Sequence, residues 1–176
     1  VLFRSVCVNP AYRKSAVEYA YTLKLNLLKN NVQFNYCVQL VTHSSIDKNE
    51  LIKVLYISEH YLVKITKQLN NFFKIFDIVI VSIKGIYQLT GNELSIRVFS
   101  FIFLQDSFQE LAWPFSKISL EEIKKSLPDA LLERSYKNVR MKKRAFYILY
   151  AIFKTRTSAQ NFLKMPHSKN LHSFFI

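Results

Sequence analysis

Eight cationic residues lie close together near the C-terminal end of the chain, and aromatic residues separate them. They are Arg134, Lys137, Arg140, Lys142, Lys143, Arg144, Lys154 and Arg156. Cationic side chains neutralise phosphates and release counterions, and aromatic rings stack on unpaired bases. We therefore predict that these eight residues bind RNA. The alternative is that aromatic residues such as Phe146 belong to the core and that only the basic run is exposed.

Residue types that would support catalysis or metal binding lack suitable partners in the sequence. With two glycines, the chain cannot build a glycine-rich phosphate loop. The four histidines have no acidic or thiol partner at ligand spacing; they are His43, His60, His167 and His172. We expect no enzymatic activity, no cofactor and no metal site.

The charge of the protein is concentrated at its two ends. The formal net charge is +13, and residues 134–176 contribute ten basic residues without a single Asp or Glu. Residues 47–133 carry ten basic and eleven acidic residues. This distribution predicts a nearly neutral central domain at 49–143, an N-terminal extension at 1–48 and a basic aromatic C-terminal extension at 144–176. The bland alternative is that the extensions only keep the chain soluble.

The central domain is predicted to begin with a strand, a helix and a second strand. Leu51–Ser58 is apolar on both faces, which is typical of a covered strand. From Ser58 as N-cap, apolar residues recur at helical spacing as far as Phe76. Ile78–Ile83 is rich in β-branched residues, which favours a central strand. The simplest connection of two such strands through a helix is a right-handed crossover.

Further elements are predicted on both sides of this unit. We expect a helix over Ser15–Asn30, and a second helix that starts at a capping box formed by Ser119 and Glu122. The predicted strands are Val1–Val8, Val32–Val41, Glu93–Gln105 and a return strand over Phe108–Phe115. Thr155–Leu163 is expected to continue a helix.

Two cysteines and the longest apolar runs bear on the cellular environment. Cys7 and Cys37 have no metal-ligand spacing, and we interpret them as buried thiols in a reducing compartment. No run reaches the roughly 18 apolar residues of a membrane span, so we expect none.

The order of elements over residues 50–143 resembles the small-subunit ribosomal protein ten family. The stretch LIKVLYISEHYLVKITKQL places Glu59 and His60 where that family has an Asp-His dipeptide, and VSIKGIYQLTG, QDSFQELAW and DALLERSYKNV follow at similar spacings. The resemblance implies an α+β, ferredoxin-like sandwich with the order strand-helix-strand-strand-helix-strand and basic extensions.

The same resemblance implies a structural role in the head of the small ribosomal subunit, in a mitochondrion. The partners would be ribosomal RNA and neighbouring ribosomal proteins, so that the chain would not act as a free monomer. The alternative is an accessory subunit of another organellar complex, whose basic flanks face lipid or acidic partners.

Overall fold

The computed structural model describes residues 13–127 and 142–163, and within them the chain forms seven α-helices and a three-stranded sheet. The elements in chain order are α1 Arg13–Lys29, α2 Val32–Thr42, β1 Ile46–Asp47, α3 Lys48–Leu55, α4 Glu59–Phe73, β2 Ile78–Ile83, β3 Ile86–Gly91, α5 Glu93–Phe108, α6 Leu120–Ser126 and α7 Lys143–Ser158. A short 3-10 helix, Lys74–Phe76, extends α4. The α+β class predicted from the sequence is confirmed.

The segment predicted as a strand over Val32–Val41 is instead the helix α2. Asn31 caps it by accepting a hydrogen bond from the backbone N–H of Phe34. Phe34, Cys37 and Val41 are buried at steps of three and four residues, which is helical spacing. The strand prediction was wrong because apolar and polar residues alternate from Val32 to Tyr36, which imitates the two-residue period of a strand. Burial raises the pKa of the Cys37 thiol to about 12, as expected for a buried thiol.

The strand predicted over Leu51–Ser58 was also wrong. Asp47 caps a helix here, α3, by accepting hydrogen bonds from Asn49 and Glu50. Leu51 and Leu55, four residues apart, are the buried positions. The predicted crossover therefore does not exist, because its first strand is a helix.

The helix predicted after Ser58 and the strand Ile78–Ile83 are confirmed. Ser58 accepts a hydrogen bond from the Tyr61 backbone and caps α4. One stripe of α4 is buried and consists of Leu62, Ile65, Leu69 and Phe73. Burial of this stripe attaches α4 to the core along its whole length.

The sheet is antiparallel throughout, with the strand order β1-β3-β2. β2 and β3 form a hairpin in which Ile83 pairs with Ile86, and β1 pairs with the start of β3. Lys84 and Gly85 in the turn both have positive φ, the backbone of a two-residue hairpin turn. Residues on both sides of the predicted domain boundary after residue 48 share this sheet.

The strands predicted over Glu93–Gln105 and Phe108–Phe115 were wrong, because the chain from Glu93 to Phe108 is the helix α5 and residues 109–115 form turns and irregular chain. Asn92 caps this helix, and Ile96, Ser100 and Leu104 follow one another on its buried face at four-residue steps. The predicted order of strands and helices of a ferredoxin-like sandwich is therefore absent from the described part of the chain.

The helices α1, α6 and α7 complete the described structure. α1 confirms the helix predicted over Ser15–Asn30, and the capping box at Ser119 and Glu122 is present at the start of α6. Ile148 and Ile152 of α7 are fully buried in the core. The predicted strand Val1–Val8 and Cys7 lie outside the described residues.

We predict that Gly91→Ala destabilises the protein by about 3 kcal/mol. A Cβ at this position would lie 2.0 Å from the backbone oxygen of Asp77, and Gly91 has φ +127. Gly85→Ala is the matched control, because its Cβ would meet nothing within 4 Å and only the positive φ remains unfavourable. That control should cost about 1 kcal/mol in urea denaturation. Equal losses for the two variants would contradict the close approach at Gly91.

Candidate nucleic-acid interface

The structure describes five of the eight cationic residues that the sequence predicts to bind RNA. Arg134, Lys137 and Arg140 lie outside the described residues. Lys142 and Lys143 are exposed at the beginning of α7. Arg144, Lys154 and Arg156 are spread along α7. Among the described members of this set, cationic side chains are therefore adjacent only at the first turn of this helix.

Arg144 and Lys154 occupy different surroundings on α7. The guanidinium of Arg144 lies 5.8 Å from the centre of the Trp113 ring, and burial lowers its pKa while the charge of Glu110 opposes that effect. Lys154 is exposed more than two turns further along the helix. The aromatic residues of α7 pack inwards in part, since Tyr147 is buried and Phe153 carries the Arg97 guanidinium on its ring face at 4.3 Å.

Arg156 is buried, and its charge is paired inside the protein. Its Nε donates to Glu93 Oε1 at 3.1 Å and its Nη2 donates to Oε2 at 2.5 Å. Arg97 Nε donates to the same Oε1 at 2.8 Å, and Arg97 Nη2 donates to the backbone oxygen of Asn161. Because both arginine side chains are 4% exposed, this cluster joins α7 to the start of α5. A phosphate could reach Arg156 only after that cluster had opened.

A different surface, which the sequence analysis missed, is formed by α3, α4 and the turn between them. The two helices are separated by Tyr56, Ile57 and Ser58, and Tyr56 has the left-handed conformation with φ 53 and ψ 46. The backbone N–H of Ile57 donates to Ile52 at 3.2 Å and closes the turn. Lys48 Nζ at the start of α3 lies 2.7 Å from Glu59 Oε1 at the start of α4. A backbone hydrogen bond in the turn and a side-chain ion pair therefore both hold α3 and α4 in place relative to each other.

The face of α4 opposite its buried stripe is open to solvent. His60, Lys64, Lys67 and Asn71 recur there at steps of four, three and four residues, and all four are exposed. Neither lysine has an ion-pair partner in the described part of the chain. The exposed face of α4 therefore presents free cationic and hydrogen-bonding groups in one row.

The hairpin of β2 and β3 is fixed against this pair of helices by two sets of hydrogen bonds. The Asn70 side chain accepts from the Ile80 backbone N–H at 2.7 Å and donates to the Ile80 backbone oxygen at 3.0 Å. The Lys48 backbone N–H donates to the Gly85 oxygen in the hairpin turn at 2.8 Å. Because β2 is an edge strand, Asn70 supplies the partner that another strand would otherwise supply. These bonds hold Lys84, exposed in the turn, in a fixed position relative to α3.

The apolar spacing across this surface was visible in the sequence. Leu51, Leu55, Leu62, Ile65 and Leu69 form two helical stripes, and the six residues from Tyr56 to Tyr61 separate them. That spacing fits a 3.6-residue period better than the alternation of a strand.

In the described residues, no helix is long and apolar enough to cross a membrane, and no three His, Cys, Asp or Glu side chains are grouped to hold a metal ion.

A comparison with known protein families finds a match that includes the residues of this surface. Residues 21–104, somewhat less than half of the chain, match the Mga helix-turn-helix domain. The matched range runs from α1 into α5 and contains α3, the turn, α4 and the hairpin. No curated protein matches the chain.

This match overturns the resemblance to the small-subunit ribosomal protein ten family. Glu59 and His60 begin a helix, as in the resemblance, but a helix and not a strand precedes them. The structural role in a mitochondrial ribosome was therefore wrong, and so was the alternative of an organellar accessory subunit, because a helix-turn-helix family indicates DNA binding. Ribosomal RNA and ribosomal proteins are therefore not supported as partners of this chain.

We predict that Asn70→Ala destabilises the protein by about 1–3 kcal/mol, because it leaves the Ile80 backbone N–H and C=O without their partner. The neighbouring Asn71→Ala is the control, since Asn71 is exposed on the opposite side of α4. Thermal unfolding followed by circular dichroism compares the two variants. Equal stability of both would show that the Asn70 amide does not hold the hairpin.

Glu93→Gln is expected to cost about 3–5 kcal/mol, because it leaves two buried arginines without a compensating charge. Glu121→Gln, at an exposed position of α6, should change the free energy of unfolding by less than about 0.5 kcal/mol. Chemical denaturation of both variants provides the measurement. A loss below 1 kcal/mol for Glu93→Gln would contradict the role of this cluster in joining α5 and α7.

Proposed function

We propose that this protein is a DNA-binding regulator of transcription and that α4 is its recognition helix. The observation that supports this most directly is the exposed row of His60, Lys64, Lys67 and Asn71 on a helix whose other face is fixed in the core. The match of the Mga helix-turn-helix domain to residues 21–104 supports the same function.

The dimensions of the proposed contact agree with those of duplex DNA. An α-helix with its side chains is about as wide as the major groove, and helix-turn-helix proteins place the N-terminal part of the second helix against base edges. In this chain that part carries His60, Tyr61 and Lys64, all of them exposed. The lysine side chain suits the O6 and N7 acceptors of guanine. Lys67, one turn further on, is placed to contact a phosphate.

Two more elements can reach the DNA backbone when α4 lies in the groove. The first is the beginning of α3, where Lys48 adjoins α4 through its ion pair with Glu59. The second is the hairpin turn that contains Lys84. The Gly85 oxygen in this turn accepts a hydrogen bond from the backbone N–H of Lys48. Phosphate contacts of this kind set the register of a protein on DNA, whereas contacts to bases supply the sequence preference.

The proposed function requires no catalysis by the protein. The absence of enzymatic activity and the mitochondrial location remain predictions from the sequence. The eight cationic residues remain candidates for additional contacts with nucleic acid, with Lys142 and Lys143 the most accessible of those described.

The first experiment is to select duplexes from a random pool with the full chain and to measure affinity by fluorescence anisotropy. Replacing both Lys64 and Lys67 by Ala should weaken binding by roughly 10- to 100-fold at moderate salt. The slope of log affinity against log salt should fall by about 1, because Lys67 neutralises one phosphate whereas Lys64 contacts a base edge.

Replacing Lys124 and Lys125 on α6 by Ala removes the same charge from a surface outside the helix-turn-helix. This control variant should bind the selected duplex as the unchanged protein does, apart from a small non-specific effect. If both double variants lost affinity equally, or if the chain selected no duplex and bound single-stranded RNA instead, the proposal would be wrong.

A further inference from the structure

One side of α5 and the C-terminal end of α4 enclose an apolar groove of about 570 Å³. Along α5 it is lined by Phe99 and Phe103, whose rings stack with their centres 5.6 Å apart. Phe72 and Phe76 line it from α4 and from the 3-10 helix that extends α4, and the centre of the Phe76 ring lies 5.9 Å from that of Phe99. These phenylalanines form a groove into which an apolar side chain would fit.

A ridge of apolar side chains runs along α5 beside this groove. Leu94, Val98 and Ile102 follow one another at four-residue steps, and each of them is between 47% and 60% exposed. Rows at four-residue steps are the ridges that pack into the grooves of another helix in the commonest class of helix packing. The same face therefore carries a ridge and a groove side by side, which a two-fold rotation would bring together in a second copy.

The exposed apolar area of this face is sufficient for a reversible dimer. Phe72 and Phe76 are 51% and 39% exposed, and a fully buried aromatic side chain covers about 150–250 Å². Together with the three residues of the ridge, such fractions amount to roughly 500 Å² on one copy. Two copies would therefore remove about 1,000 Å² from water, which is the lower bound of a specific interface.

The charges of the protein restrict where two copies can meet. A chain with a formal net charge of +13 repels its own copies, so association requires a face without free cations. Among the described residues that line the groove, Asp106 alone is charged, and Lys24 of α1 pairs with it at 2.7 Å. The face on α5 thus combines apolar area with little charge.

We infer that this face binds a second copy of the same chain, with the ridge of Leu94, Val98 and Ile102 of each copy in the groove of the other. The inference does not depend on the function proposed for α4, because the ridge belongs to α5 and not to the exposed row on α4. Phe72 lies about 18 Å along the helix axis from His60, so the N-terminal part of α4 remains accessible in the dimer.

Sedimentation equilibrium of the full chain without DNA, over a wide range of protein concentration, measures this association. We expect a reversible equilibrium between monomer and dimer. Ile102→Glu should weaken the dimer at least about tenfold, because it places a carboxylate in the apolar groove of the other copy. Leu27→Glu is the matched control, since Leu27 on α1 is 64% exposed and lies outside the face. It introduces the same charge and should leave the dimer unchanged.

Ile102 and Leu27 are both exposed, so neither variant should unfold the monomer, which circular dichroism verifies. Val98→Glu, one turn away on the same ridge, should weaken the dimer as Ile102→Glu does. A chain that stays monomeric at every concentration would overturn the inference and leave the face to an unlike protein. Equal weakening by Ile102→Glu and Leu27→Glu would overturn it as well.

The DNA sites that the full chain selects separate this inference from the function proposed for α4. If both hold, the selected duplexes should be inverted repeats, because helix-turn-helix dimers bind two half-sites. A dimer that selects no duplex would support the contact through α5 and contradict the function proposed for α4. A monomer that selects a single half-site would contradict the contact and support that function.

Discussion

The burial of one stripe of α4 is the constraint on which the described structure depends most. Leu62, Ile65 and Phe73 are fully buried, and removing each such side chain from water contributes about 1.5–3 kcal/mol. With these residues in the core, the helix cannot rotate about its axis, and His60, Lys64 and their neighbours must face solvent. The bonds from Asn70 to Ile80 then fix the hairpin relative to the same helix. The backbone of a helix held in this way is preorganised, so that only its exposed side chains lose conformational entropy when they bind a partner.

The distribution of charge along the chain is a poor guide to the charge of the surface. Residues 134–176 contain ten basic residues and no acids, yet Arg156 is paired with Glu93, a residue more than sixty positions earlier in the chain. Conversely, α4 contains only two lysines, so the net charge of successive segments of the sequence does not identify it as a binding element. The position of a charge relative to the core matters more for recognition than its density along the chain.

Part of the fold could be predicted from the sequence because some elements had a single period. In α4 the apolar residues follow a 3.6-residue repeat, and in Ile78–Ile83 β-branched residues dominate, so both predictions were confirmed. In α5 the run from Val98 to Leu104 is apolar on nearly every side, and Val98 and Ile102 remain exposed in the structure. Such a run carries no period that distinguishes a helix from a strand.

The misreading of one segment led to the misreading of the function. A strand over Leu51–Ser58 would place Glu59 and His60 at a strand-to-helix junction, and the resemblance to a ribosomal family depends on that order of elements. The same two residues begin α4, which we propose as the recognition helix. The candidate site thus lies within the motif on which the resemblance was based. The type of the element before it, helix or strand, distinguishes the two families. That helix ends at Tyr56 in a left-handed conformation, which cannot be inferred from residue types.

The most direct measurement is an NMR titration of the isotope-labelled full chain with a selected DNA duplex, following the backbone amide signals. Our account predicts that the largest shifts fall on residues 59–67 and on the hairpin turn at Lys84 and Gly85. Shifts confined to the start of α7, at Lys142 and Lys143, with α4 unaffected would contradict it.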